Sequence, residues 1–182
     1  KFHRHILFVR PALFVVLDDV AAPRLSSFQW LLHGLEEMKT DEDAGTVALR
    51  HAGAHLQVRL SSPVGLWFEQ TDAFEPRYNA GSPPQFLEEH PNHWHFTAST
   101  VRGSTETRIG AVMLVTADGE KVTWETTAAD GWIGASARGG DWSADAWARL
   151  VPGAPLPDAI REWAPASVTL VAGRWSSRGE QQ

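Results

Sequence analysis

Residues Lys1 to Gly34 read KFHRHILFVRPALFVVLDDVAAPRLSSFQWLLHG, and this stretch decides the fold class. It divides into three apolar runs. His5-Ile-Leu-Phe-Val9 runs to Arg10-Pro11, Leu13-Phe-Val-Val-Leu17 runs to Asp18-Asp19, and Phe28-Gln-Trp-Leu-Leu-His33 closes at Gly34. Short runs of β-branched, Leu and aromatic residues bounded by Pro, Asp and Gly are strand signals. Their near-continuous apolarity predicts strands covered on both faces, in the middle of a packed structure. Asp18-Asp19 reads as a strand end with a turn hydrogen bond. It is a poor catalytic pair, because adjacent strand residues point to opposite faces.

The remaining chain continues in the same style. An acidic segment carrying Glu36, Glu37, Asp41, Glu42 and Asp43 follows Gly34. Clustered carboxylates suit a hard cation, but the spacing lacks the calcium-loop pattern, and a solvated connection is expected. Thr46 to His51 and His55 to Leu60 flank Ala52-Gly53-Ala54 as a hairpin. Alternation places Leu56, Val58 and Leu60 on one face and Gln57 and Arg59 on the other. Val64 to Glu69 reads as a strand with Trp67 and Phe68 on opposite faces. Thr71 to Asn92 is a long Pro-rich irregular segment whose aromatics, Phe74, Tyr78 and Phe86, predict an ordered loop lying against something. His93 to Val101 returns to strand. Arg108 to Thr116 and Lys121 to Thr127, joined at Ala117-Asp118-Gly119, read as a second hairpin. Short strands are expected at Trp132 to Ala137, Trp142 to Val151 and Val168 to Trp175, with a helical turn at Asp158 to Trp163 after Pro157. No internal repeat or linker divides the chain, so residues 1–182 are expected to form one all-β domain.

At 182 residues the chain is long enough for a substantial core. A hydrophobic fraction of 43% and a charged fraction of 21% are those of a globular protein. The net charge of -6 argues against a nucleic-acid partner, which would need a clustered basic face. No run approaches a membrane span. Cysteine is absent, so disulfides are excluded. The chain opens on Lys1 with a strand close behind, which suggests a fragment or processed chain whose amino-terminal partner has been removed. Nine tryptophans are the compositional oddity. Most are expected to fill the core, although indoles also form flat platforms for sugars.

The run R-H-I-L-F-V-R-P-A-L-F-V-V-L-D-D-V, Arg4 to Val20, followed by F-Q-W-L-L-H, Phe28 to His33, resembles the start of the C-terminal β-sandwich of heparinase II/III-like polysaccharide lyases. The segment E-E-H-P-N-H-W-H-F, Glu88 to Phe96, followed by the apolar strand Ile109 to Val115, extends the resemblance. It implies an antiparallel two-sheet β-sandwich, the C-terminal part of a larger enzyme with an α/α-toroid domain. It also implies β-elimination on acidic, uronic-acid-containing polysaccharides such as glycosaminoglycans or alginate, and a periplasmic or secreted location. In such lyases the main catalytic Tyr and His come largely from the toroid, so this chain alone is not expected to be catalytic. The sandwich packs beside the toroid and completes its cleft.

On that resemblance His33, ending W-L-L-H, and His95, within W-H-F, are the candidate accessory catalytic residues. Trp30, His93, Trp94 and Tyr78 are candidate substrate contacts. Each histidine also reads as an ordinary strand-end residue. His93-x-His95 would share a strand face, as a metal site requires, with Glu88 or Glu89 as a further ligand. The preferred reading is that these are polar positions alternating with Trp94 and Phe96, which enter the core. The family's structural zinc is held by an H-x-D-containing stretch and a later H-N motif ahead of this segment, neither present here, so no metal or other cofactor is expected in this chain. Two other readings remain: a stand-alone carbohydrate-binding module, marked by a row of exposed indoles, and a purely structural domain, marked by an apolar patch without a groove.

Overall fold

The computed structural model describes residues 1–73, 81, 83, 85, 92–157, 168–171 and 174–177. Its elements are β1 (Phe2–Val9), β2 (Leu13–Ser26), β3 (Gln29–Gly34), β4 (Lys39–Asp41), β5 (Thr46–His51), β6 (Ala54–Ser61) and β7 (Leu66–Thr71). They continue with β8 (Trp94–Thr100), β9 (Ser104–Ala117), β10 (Thr123–Ala129), β11 (Trp132–Arg138), β12 (Ser143–Arg149), β13 (Val168–Val171) and β14 (Arg174–Ser177). A six-stranded sheet has the order β1-β2-β9-β6-β5-β4, a five-stranded sheet β10-β11-β12-β13-β14, and a three-stranded sheet β3-β8-β7. Among the described strands the β12–β13 pair is parallel and the other pairs are antiparallel.

Strand alternation explains the layering. On β2, Leu13, Val15 and Leu17 face the five-stranded sheet and pack with Val112, Ile133, Ala135, Ala144, Ala146 and Ala148. The opposite face of the six-stranded sheet carries Val16, Val47, Val58, Leu60, Ile109 and Ala111. These pack with Trp30, Phe96 and Ala98 of the three-stranded sheet. The six- and five-stranded sheets are the expected sandwich, and the three-stranded sheet adds a layer on its far side. The predominance of alanine on β11 and β12 lets the sheets approach closely. A Cβ at Gly110 would lie 2.6 Å from Ile133 Cγ2 and 2.8 Å from Leu150 Cδ2, so only glycine fits that contact.

Several local expectations are corrected. Of the three strands in residues 1–34, β2 alone is covered on both faces. β1 is an edge strand, and Phe2, Ile6 and Phe8 are 62%, 61% and 46% exposed. Asp18-Asp19 does not end a strand, since β2 runs through both to Ser26. Asp18 is 2% exposed because Arg4, its register partner on β1, grips it with Nε to Oδ1 and Nη2 to Oδ2, both 2.7 Å. Strand β4 forms within the acidic segment, pairing with β5.

The hairpin expected across Ala117-Asp118-Gly119 does not form. β9 is already hydrogen-bonded on one side to β2 and on the other to β6, so β10 crosses to the five-stranded sheet and pairs with β11. The stretch read as one strand from Val168 to Trp175 contains the antiparallel pair β13 and β14. The helical turn expected at Asp158 to Trp163 lies outside the described residues.

The hairpin of β5 and β6 is present. Ala52 (φ 47°) and Gly53 (φ 80°) supply the two positive φ values of a type I′ turn.

Candidate functional site

The three-stranded sheet has two faces of different chemistry. The even-numbered residues Trp30, Leu32, Leu66, Phe68, Trp94, Phe96 and Ala98 turn inward. Successive strand residues alternate, so the odd-numbered ones turn outward. Cross-strand register then sets them in three rows. His33 lies opposite His95 and His95 opposite Thr71; Leu31 lies opposite Thr97 and Thr97 opposite Glu69; Gln29 lies opposite Ser99 and Ser99 opposite Trp67. Imidazoles, a carboxylate, hydroxyls and an amide thus share one outward face with Trp67, which is 41% exposed.

The histidines meet directly. His33 Nε2 and His95 Nδ1 are 3.1 Å apart, and the rings are edge to face with centroids 4.4 Å apart and an interplanar angle of 86°. One ring nitrogen must donate and the other accept, so the pair is satisfied when at least one imidazole is neutral. Burial holds the His95 pKa below its ordinary value, and the neighbouring charge of His33 lowers it further. Neutral His95 is therefore favoured, leaving an imidazole suited to accept a proton or pass one to its partner. In the next row, Gln29 Nε2 donates to Ser99 Oγ at 3.2 Å.

The remaining sequence candidates are placed differently. Trp30 is 4% exposed and sits on the inward face, where it packs the core and offers no ring to solvent. Trp94 is half-buried on the same inward side, opposite Gly34. His93 is exposed and precedes β8. Tyr78, and with it Phe74, Phe86, Glu88, Glu89 and His90, lies outside the described residues. Among the described residues no group of three or more His, Asp and Glu is placed to hold a metal ion.

Sequence reading did not include Glu69, Thr71, Thr97 or Trp67 in the site. Their alternation was legible, and Trp67 was read as facing away from Phe68. That β7 pairs with β8, and β8 with β3, is long-range information that no local pattern carries.

No family model matches the sequence, and no curated protein matches it. Solved structures similar to it are of the family the sequence resembles. A heparinase III gene product with methylated lysines is 14% identical, with a TM-score of 0.48 over 82% of this chain and 23% of that one. The same product without that modification is 14% identical, with a TM-score of 0.49 over 82% of this chain and 24% of that one. A crystal structure of heparinase III is 12% identical, with a TM-score of 0.48 over 82% and 23%. This chain therefore spans about a quarter of the length of those proteins.

Proposed function

We propose that this chain is the C-terminal β-sandwich of a polysaccharide lyase that cleaves uronic-acid-containing polysaccharides by β-elimination. In this reading the sandwich packs beside a toroid domain and lends His33 and His95 to the cleft. The observation that carries it is the 3.1 Å imidazole pair, formed by one histidine from each of the two sequence segments of the resemblance.

The reaction needs three services. The C5 proton of the uronate must be taken, its electron pair becomes the C4–C5 double bond, and the departing C4 oxygen must be protonated as its bond breaks. The sugar carboxylate must also be held so that C5 is acidic enough. Paired imidazoles with one member kept neutral can relay a proton or position that carboxylate. Glu69, Thr71 and Thr97 share the face and suit the hydroxyls of a neighbouring sugar. Trp67 suits an apolar sugar face.

Phe2, Ile6 and Phe8 support packing beside another domain. They share one face of edge strand β1, and Phe8 stacks on Phe14 at 4.4 Å, making an apolar strip of the kind an inter-domain contact covers. A stand-alone sugar-binding module is less well supported. Among the indoles whose burial is described, Trp67 is the one exposed by more than a third, and a single ring is not a row.

The test is His33→Ala and His95→Ala in the complete enzyme. Each is expected to lower kcat/KM about tenfold or more, roughly 1.4 kcal/mol of transition-state stabilisation, with little change in Tm. Unchanged kinetics with a lowered Tm would make the pair purely structural.

A further inference from the structure

A second site lies at the open end of the main sandwich, away from the histidines. Arg108 on β9 is 8% exposed and points between the six- and five-stranded sheets, where Nη1 donates to the Arg149 carbonyl at 3.1 Å. Its other donors are poorly served. Nε has no hydrogen-bond partner, and the nearest carboxylate oxygen to Nη2, Oδ2 of Asp19, is 4.0 Å away. That same oxygen is held at 2.7 Å by Lys1 Nζ. Asp19 is thus shared between the two cations and drawn to the lysine, and the guanidinium, nine-tenths buried, keeps only a long ion pair and an unpartnered Nε. A buried charge in that condition is costly, and its planar fork matches a carboxylate that could reach it.

The space beside it is a pocket of about 320 Å³. Its polar edge is formed by Lys1, Asp19, Glu106, Thr107 and Arg108, and its wall by Pro63, Val64, Leu150, Val151 and Pro152. The volume lies at the small end of ligand sites and suits one monosaccharide ring. The wall offers an apolar surface to the C–H face of a ring. Asp19 and Glu106 can accept from hydroxyls, and the Thr107 hydroxyl, 3.2 Å from Ser62 Oγ, can be shared with one.

We propose that this pocket binds one uronic-acid residue, its carboxylate on Arg108 and its ring against the Val64 and Val151 wall. The carboxylate follows from Arg108 alone. The choice of a sugar acid rests on the lyase reading above and makes the pocket a secondary contact for the same polymer.

The test is titration of the protein with glucuronate, glucose and acetate, followed by amide chemical shifts. Glucuronate at millimolar concentration should shift Glu106, Thr107 and Val151, glucose should shift nothing, and acetate should bind more weakly. Arg108→Gln should weaken glucuronate binding about tenfold or more. Val64→Trp, which fills the pocket from its apolar wall and leaves Arg108 in the sequence, should do the same if Arg108→Gln does not fold. His33→Ala and His95→Ala should leave the titration unchanged, so a failed lyase reading and a failed pocket give different results. Shifts absent or elsewhere, or equal binding of glucose, overturn the proposal. Acetate binding as tightly as glucuronate overturns the assignment to a sugar acid.

Discussion

Arg4 and Asp18 show how two charged residues can sit within an otherwise apolar pairing of strands. The guanidinium meets both carboxylate oxygens at 2.7 Å, with the carboxylate buried and the arginine stem 41% exposed. Removing only the arginine leaves a buried carboxylate without its charge partner. Arg4→Leu is therefore expected to cost about 2 kcal/mol, whereas the double change Arg4→Leu with Asp18→Leu should recover most of it. A double-mutant cycle in urea measures both, and additive losses would show that the pair is not coupled. His95 makes a second prediction at this scale. Its folded pKa lies below the unfolded value of about 6.5, so the unfolded chain binds the proton more readily. The stability tied to neutral His95 is thus fully present above about pH 6.5 and is lost as pH falls from there through the lower folded pKa. Tm should fall on that acid limb, and His95→Gln should flatten it; an unaltered limb would assign it to other groups.

Among the elements, β9 organises the rest. Fourteen residues long, it is flanked by β2 and β6 in the six-stranded sheet, and its two faces serve both cores. At Gly110 it lies close against Ile133 of β11. Gly110→Val should push Ile133 and Leu150 away and cost about 1–3 kcal/mol, with partial rescue by Ile133→Ala. Equal Tm for wild type and Gly110→Val would mean that the sheets separate freely there. The strand also explains why two Asp-Gly pairs behave differently. Asp130 (φ 53°) and Gly131 (φ 78°) form the tight turn of the β10–β11 hairpin. Asp118-Gly119 looks the same in sequence, but β9 has no free edge for the next strand. Its Asp118 instead binds the end of the β5–β6 hairpin, with N–H to the Gly53 carbonyl at 2.8 Å and Oδ1 2.6 Å from His55 Nε2.

For the whole molecule, three layers give two cores, and among the described strands none packs over the outer face of the three-stranded sheet. The histidine pair lies on that face, and the Arg108 pocket opens at the end of the sandwich. The apolar strip of β1 lies on the edge of the six-stranded sheet. If the toroid supplies the main catalytic groups, this chain by itself should give no unsaturated uronate from heparan sulfate, alginate or hyaluronan, read as ultraviolet absorbance of the product. Turnover by the isolated chain would place the complete catalytic set within it and reject the division of labour between the domains.

The residue pattern by itself determined that the chain is built of strands, where most of them lie, and which side chains of β6 and β7 face together. Period-two alternation, β-branched runs and turn residues are local properties, and local steric and hydrophobic preferences suffice to set them. The resemblance to a known family, rather than the pattern, marked His33 and His95 as candidates, without placing them together. Which strand lies beside which was decided by tertiary structure, because partners far apart in sequence compete for a limited number of sheet edges. That competition took β10 away from β9, carried β2 through Asp18 once Arg4 was opposite, and turned Trp30 into core. It also brought two histidines 62 positions apart to within a hydrogen bond of each other. No local preference holds that information, since it exists only when every edge and both faces of the central sheet are filled at once.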